Sequence, residues 1–224
     1  MSDKTSTPET NVDADTLRIT EIFVSLQGES TYAGCPTVFV RTTGCPLRCV
    51  YCDTAYAFSG GKLMPLGDIV TTVQQYQVQH VTVTGGEPLA QPATHALLEM
   101  LCNHGYLVSL ETSGAIDVSS VDRRVKKVVD IKTPGSGEMA RNLLRNLNAI
   151  AKTDELKFVI ADRADYEWSR RFIAEHDIDA TVLFSPVHET LDARELADWV
   201  VADRLAVRFQ MQLHKYLWGN EPGR

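Results

Sequence analysis

Apolar positions in this chain come in short runs whose spacing keeps changing, from alternation to every third or fourth residue and back, and each change marks a new element. Residues 18–26 and 37–42 are short and rich in Ile, Val and Phe, which predicts two strands. Helical and strand patterns then alternate: a helix over 65–76, a strand over 80–84, a helix over 92–103, and strands over 106–112 and 126–132. The series continues with a helix over 138–151, a strand over 156–161, a helix over 164–176, a strand over 181–185, a helix over 190–201 and a last strand over 205–213. Strands interleaved with helices imply an α/β fold with a mostly parallel sheet. Six or seven such units are too few for a closed eightfold barrel, which takes about 250 residues. An open, partial (β/α) barrel or a doubly wound sheet is left.

The 224 residues are 44% hydrophobic and 23% charged, enough for one substantial core. No run approaches the roughly 20 apolar residues that a bilayer demands, so no membrane association is expected. A formal charge of -7 argues against a phosphate-neutralising surface and hence against nucleic acid as a partner. Residues 1–16 are polar and acidic without the features of a signal peptide, so they are expected as a flexible tail before a single domain over 17–224. The expected compartment is the cytoplasm.

In either architecture ligands gather beyond the carboxyl ends of the strands. The unusual residues fall there, at 45–53, 84–88, 111–114, 132–137, 185–188 and His214. Cys45, Cys49 and Cys52 form a C-x3-C-x2-C run on the loop after the second strand, close enough for three thiolates to converge on one metal centre of the iron-sulfur or zinc type. A four-iron cluster with three cysteines leaves one iron open, which is a catalytic design. Cys35 as a fourth ligand would instead close a structural zinc site. Otherwise Cys35 is a bystander, and Cys102, in an apolar helical stretch, is a small buried hydrophobe. Thr84-Gly85-Gly86-Glu87-Pro88 directly follows a strand, and by itself is either a turn or a place where a ligand approaches the backbone closely.

The cysteine run, with aromatic Tyr51 before its last cysteine, and the Gly-Gly-Glu-Pro turn together resemble the radical S-adenosylmethionine (SAM) enzymes. Leu26-Gln27-Gly28-Glu29, Arg41, Cys52-Asp53-Thr54, Glu111-Thr112-Ser113-Gly114, Asp130-Ile131-Lys132-Thr133-Pro134, Phe184-Ser185-Pro186-Val187 and His214-Lys215, in that order, resemble the 7-carboxy-7-deazaguanine synthase family over nearly the whole chain after the tail. The resemblance implies an open partial (β/α) barrel of radical SAM type with an extra N-terminal edge strand. It also implies a carbon-nitrogen lyase that contracts the ring of 6-carboxy-5,6,7,8-tetrahydropterin on the way to queuosine and related bases. One 4Fe-4S cluster, SAM and Mg2+ are the implied cofactors.

By the same resemblance, Cys45, Cys49 and Cys52 hold the cluster and Thr54 ligates magnesium. Tyr51, Cys52, Asp53, Gly86, Ser113, Asp130, Ile131, Lys132, Ser185, Pro186, Val187 and His188 are expected around SAM. Leu26, Gln27, Gly28, Arg41, Thr84, Glu111, His214 and Asn220 are expected around the pterin. The residue types agree at two of these. An Arg fork suits a carboxylate, and a Glu ending an apolar strand is costly to bury without a cation or a ligand's N–H groups. A homodimer and an electron donor of flavodoxin or ferredoxin type are implied by the family alone. Two rival readings are a glycyl-radical activating enzyme, which shares the cysteine spacing but gives no reason for residues 26–29, 53–54 and 214–215, and a zinc-stabilised interaction module using Cys35.

Overall fold

The computed structural model describes residues 15–219 together with 221 and 223. The expected tail lies outside the described residues except for its last two positions, of which Thr16 already pairs with Pro65 in the sheet. The strands are β1 (Thr16–Leu26), β2 (Pro36–Thr42), β3 (Lys62–Pro65), β4 (His80–Gly85), β5 (Leu107–Thr112), β6 (Lys126–Asp130), β7 (Glu155–Ile160), β8 (Thr181–Pro186) and β9 (Arg208–Phe209). The helices are α1 (Leu66–Gln75), α2 (Thr94–Asn103), α3 (Arg163–Glu175), α4 (Ala193–Ala202) and α5 (Leu213–Trp218). They surround one sheet of order β3-β1-β2-β4-β5-β6-β7-β8-β9, whose ends do not pair with each other, so the barrel is open. From β2 onward, apart from β3, neighbours run parallel. The extra N-terminal strand β1 joins antiparallel at the β2 side, and the short β3, which the sequence pattern did not signal, lies outside it.

Alternation along each parallel strand sorts its residues between two environments. Val81, Val83, Val108, Leu110, Leu156, Phe158, Val182 and Phe184 join the apolar core, packed with Ile69, Val73, Leu97, Leu101, Tyr166 and Leu196 from the helices. Burying each such side chain contributes about 1.5–3 kcal/mol, so this layer is what holds helices to sheet. The alternate positions, Arg41, Thr84, Glu111, Asp130 and Lys157 among them, line the lumen instead. Asp162 and Asp192 cap α3 and α4, accepting the Asp165 and Arg194 backbone N–H groups at 2.9 Å.

The β1–β2 loop is the floor of this lumen. Gln27 N–H bonds Cys35 O and Gly34 N–H bonds Gln27 O, both at 2.8 Å, which closes the loop on itself. Thr31 donates through its backbone N–H to Glu155 at the start of β7, Ser30 N–H donates to Gln210, and Tyr32 packs edge-on against His80 at the start of β4.

Two elements differ from expectation. Residues 138–151 are 3-10 turns at Met139–Arg141 and Leu144–Ala149 rather than an α-helix. Asn142 is engaged with both the N–H and the C=O of Lys132 at 2.8 Å, and Asn146 accepts from Val118 N–H and donates to Gly114 and Ile116 carbonyls. These tertiary bonds outweigh the helical periodicity. The last strand shrinks to Arg208–Phe209, because Gln210 turns to the floor loop and Leu213 opens α5, so His214 lies on a helix rather than at a strand end.

Candidate active site

The carboxyl ends of the parallel strands, the floor loop and α5 enclose a cavity of about 640 Å³. The loop after β2 brings Cys45, Cys49 and Cys52 into its wall, all as free thiols. Burial pushes each thiol's pKa up. Free thiols there are therefore neutral, and thiolate ligands need a metal's charge to offset the desolvation. The donor set is soft, comes from one loop and faces the cavity, which fits an iron-sulfur cluster. Among the described residues no three His, Cys, Asp or Glu side chains meet at metal-binding separations, so the thiols share one wall without a preformed cage. Cys35 sits in the floor loop away from the cavity wall, and Cys102 lies in α2.

The Gly-Gly-Glu-Pro turn packs directly on the cysteine loop. A Cβ at Gly86 would stand 2.2 Å from Gly44 O, so only glycine permits this approach. Glu87 is fully buried and faces away from the cavity. It accepts Ser113 N–H at 2.7 Å, Thr112 Oγ1–H at 2.9 Å, Ser113 Oγ–H at 2.5 Å and Leu89 N–H at 3.0 Å. The motif's acid is thus a strut between the ends of β4 and β5, and the Ser113 proton is committed to it.

The expected substrate residues within the described chain line the same cavity. Glu111 on β5 accepts the Gln27 amide at 3.1 Å and the Thr84 hydroxyl at 3.3 Å, and burial pushes its carboxyl above the ordinary range. Arg41 on β2 bonds Glu21 at 2.7 Å and lies 5.8 Å from the Phe23 and Tyr56 rings. Leu26, Gly28 and His214 also line the cavity. His214 is held against Gly28, where a Cβ would meet its Nδ1 at 2.3 Å, and burial lowers its pKa so that it is neutral near pH 7.

Asp53 and Thr54 lie at the cavity rim. Thr54 donates to Asp53 Oδ1 at 2.8 Å. Burial would raise the Asp53 carboxyl, but this bond and the charge of Lys215 outweigh it and hold the carboxyl low. Tyr51 reaches across to Thr133 at 3.3 Å and Val159 O at 3.2 Å, and burial pushes its phenol to about 12.

Lys132 and Asp130 pair at 2.7 Å on the cavity wall, and Val187 and His188 also line it. Three residues of the expected SAM set stand apart. Ile131 is buried in the apolar core, and the Ser185 hydroxyl is enclosed without a hydrogen-bond partner. Pro186 lines a neighbouring recess with Met211 and Tyr216. Asn220 lies outside the described residues. Sequence reasoning quoted Glu29 only as part of a motif, without a site role, and passed over Lys157; both are on the cavity wall. Lys157 was signalled by the alternation of β7, since it occupies the lumen parity between core residues Leu156 and Phe158.

Residues 39–136 match the model of the radical SAM superfamily. The 7-carboxy-7-deazaguanine synthase of Chlorobaculum tepidum is 45% identical over 207 residues, covering 90% of this chain and 94% of the relative. That of Koribacter versatilis is 43% identical over 222 residues, covering 92% and 98%. Among solved structures, QueE from Escherichia coli aligns with a TM-score of 0.72 at 23% identity, over 89% of this chain and 95% of that one. Streptococcus suis SuiB bound to S-adenosylmethionine aligns at 0.58 and 18% identity, over 75% and 48%. The two structural likenesses bear on the fold.

Proposed function

The chain belongs to the 7-carboxy-7-deazaguanine synthase family of radical SAM lyases, and from that premise we propose that its cavity contracts 6-carboxy-5,6,7,8-tetrahydropterin to 7-carboxy-7-deazaguanine with loss of ammonia. A single observation supports the reading best. One cavity of about 640 Å³ is lined by three cysteine thiols together with an Arg and a half-buried Glu suited to the carboxylate and the N–H edge of a flat heterocycle.

Cys45, Cys49 and Cys52 would hold a 4Fe-4S cluster, which together with SAM would supply radical hydrogen-abstraction chemistry at the pterin. The protein's part is to hold, orient and shield. Cys45, Cys49 and Cys52 are the ligands in this reading, and the glycine turn at Gly86 brings backbone against the same space. Tyr51, Asp53, Ser113, Asp130, Lys132, Val187 and His188 flank SAM. Ile131 and Pro186 can serve through backbone alone, given where their side chains lie.

Arg41 takes the substrate carboxylate as a planar fork, exchanging part of its pairing with Glu21. Glu111 accepts the pterin N–H groups, with Gln27 and Thr84 fixing its orientation. Thr54, beside the ionised Asp53, would offer a hydroxyl to a magnesium ion, which would neutralise the substrate's charge. Gly28 and His214, packed against each other, line the same cavity.

Anaerobic reconstitution with iron and sulfide, followed by turnover of the carboxy-tetrahydropterin under reducing conditions and a mass measurement of product, tests the proposal. A brown protein forming 7-carboxy-7-deazaguanine supports it. A brown protein that cleaves SAM but leaves the pterin untouched overturns the substrate, and a colourless zinc protein overturns the cluster.

A further inference from the structure

The lumen contains a cation that the reading above leaves without a task. Lys157 projects from β7 and donates to Glu29 Oε2 at 2.6 Å, while its Nζ stands 3.3 Å from Asp130 Oδ1. Asp130 Oδ2 takes Lys132 at 2.7 Å, and Oδ1 has no hydrogen bond, so Lys157 is the charge it faces. Glu29 belongs to the floor loop, and its N–H bonds Gln27 Oε1 at 3.3 Å, the same Gln27 whose amide donates to Glu111. One chain of contacts therefore runs from Lys132 through Asp130, Lys157, Glu29 and Gln27 to Glu111, all on the cavity wall.

Three carboxylates here face two ammonium groups. An apolar filling would serve stability as well as such buried ions do, so their presence asks for another reason. We propose that Lys157 is a positioning residue for the substrate: it keeps Glu111 as a two-oxygen acceptor for the pterin's N–H edge and ties that acceptor, through Glu29 and Asp130, to the end of the cavity where SAM is placed. The inference rests on the pterin reading and deepens it.

The electrostatics agree in direction. Burial drives the Glu111 carboxyl up, and Lys157 is the first opposing influence. Burial would lower Lys157, but Asp130, Glu29 and Glu111 together hold its pKa well above the ordinary lysine value. Removing the ammonium leaves Glu29, Glu111 and Asp130 with Lys132 and a neutral His214, and like charges in one buried site cannot all stay ionised. A protonated Glu111 offers the pterin one acceptor fewer.

The test compares Lys157→Met and Lys157→Arg in the reconstituted holoenzyme with SAM. Pterin binding is measured calorimetrically without reductant, and then, with reductant, 5′-deoxyadenosine is measured against product. Lys157→Met is expected to bind the carboxy-tetrahydropterin at least about tenfold more weakly, one pK unit of lost charge stabilisation. Its affinity should recover as pH is raised and Glu111 ionises, along a profile displaced to higher pH than that of wild type. SAM cleavage should continue with product lagging behind it. Lys157→Arg should restore most of the affinity, because it keeps the charge.

A merely structural lysine would lower the unfolding midpoint without the pH displacement or the split between cleavage and product, and that result overturns the inference. So does a Lys157→Met enzyme that binds as wild type does. If that variant fails to fold, Lys157→Gln takes its place with the same expectations. A wild type that neither binds nor converts the pterin overturns the substrate reading itself; a wild type that does both beside an unaffected Lys157 variant overturns only this step.

Discussion

Glu111 carries opposite demands in one side chain. As a buried carboxyl raised by desolvation it opposes folding when ionised, yet ionised is the form that accepts two N–H groups. Its folded pKa lies above the unfolded value, so the folded state holds the proton more tightly. The chain therefore loses stability as pH rises from the unfolded pKa through the folded one, and regains it on acidification. Glu111→Gln is expected to remove this dependence. Its unfolding midpoint should match or exceed wild type at neutral pH, with the gap shrinking as pH falls, while pterin turnover drops by about a hundredfold or more. A variant less stable than wild type at neutral pH would show that the carboxylate is held more favourably than its burial implies. Thr54→Ala is a milder change at the rim, expected to leave cluster absorbance intact and to weaken the response of turnover to added magnesium. An unchanged magnesium titration would remove Thr54 from that role. Glu111 was legible in the sequence because a charge ending an apolar strand requires a partner, whereas Thr54 was singled out by the family resemblance alone. Which partners Glu111 has was not legible, because Gln27 is 84 positions away and only the closed floor loop brings the two together.

Local elements are held here by side chains that reach between strand ends, and this is where sequence patterns succeed or fail. Glu87 receives hydrogen bonds from Leu89, Thr112 and Ser113, joining the ends of β4 and β5 behind the cavity. Glu87→Ala leaves those buried donors unsatisfied and is expected to cost roughly 3 kcal/mol, read as a drop in denaturant midpoint. Ser113 should loosen with it, so SAM binding weakens even where the fold survives at low temperature. The turn was visible as a motif, but its acid carried no assigned role until the structure showed it facing inward. The 138–151 segment fails for a related reason. Its apolar spacing is helical, yet Asn142 and Asn146 are bound to strand ends at Lys132, Gly114 and Ile116, and a helix would turn them away from those groups. Periodicity reports which face is apolar and carries no information on a distant carbonyl that needs a donor. The parallel strands β4 to β8 were legible because each buries a continuous apolar side, which only a covered sheet satisfies.

At the scale of the whole molecule, the open barrel leaves a gap between its first and last strands, and two segments far apart in sequence close it. The floor loop from β1 and the C-terminal α5 meet at Gly28: Leu213 N–H bonds Gly28 O at 3.0 Å, and the His214 ring lies where a side chain at 28 would stand. No helix among the described residues is long and apolar enough to cross a membrane. The junction is what converts an open sheet into a walled chamber, and it depends on one absent methyl group. Gly28→Ala places a Cβ 2.3 Å from His214 Nδ1, well inside contact distance, so either the imidazole or the start of α5 must move. The atoms nearest a Cβ at 28 belong to His214, and neither the cysteine loop nor the Glu87 strut is among them. The expected outcome is therefore selective: cluster assembly and reductive SAM cleavage near wild-type levels, with the KM for the carboxy-tetrahydropterin raised by about tenfold or more and a larger share of cleaved SAM yielding no product. His214→Ala in the Gly28→Ala background separates steric from chemical causes. If displacement of the ring is the whole effect, the double variant behaves like His214→Ala alone, whereas additive losses would mean that the floor loop itself has shifted.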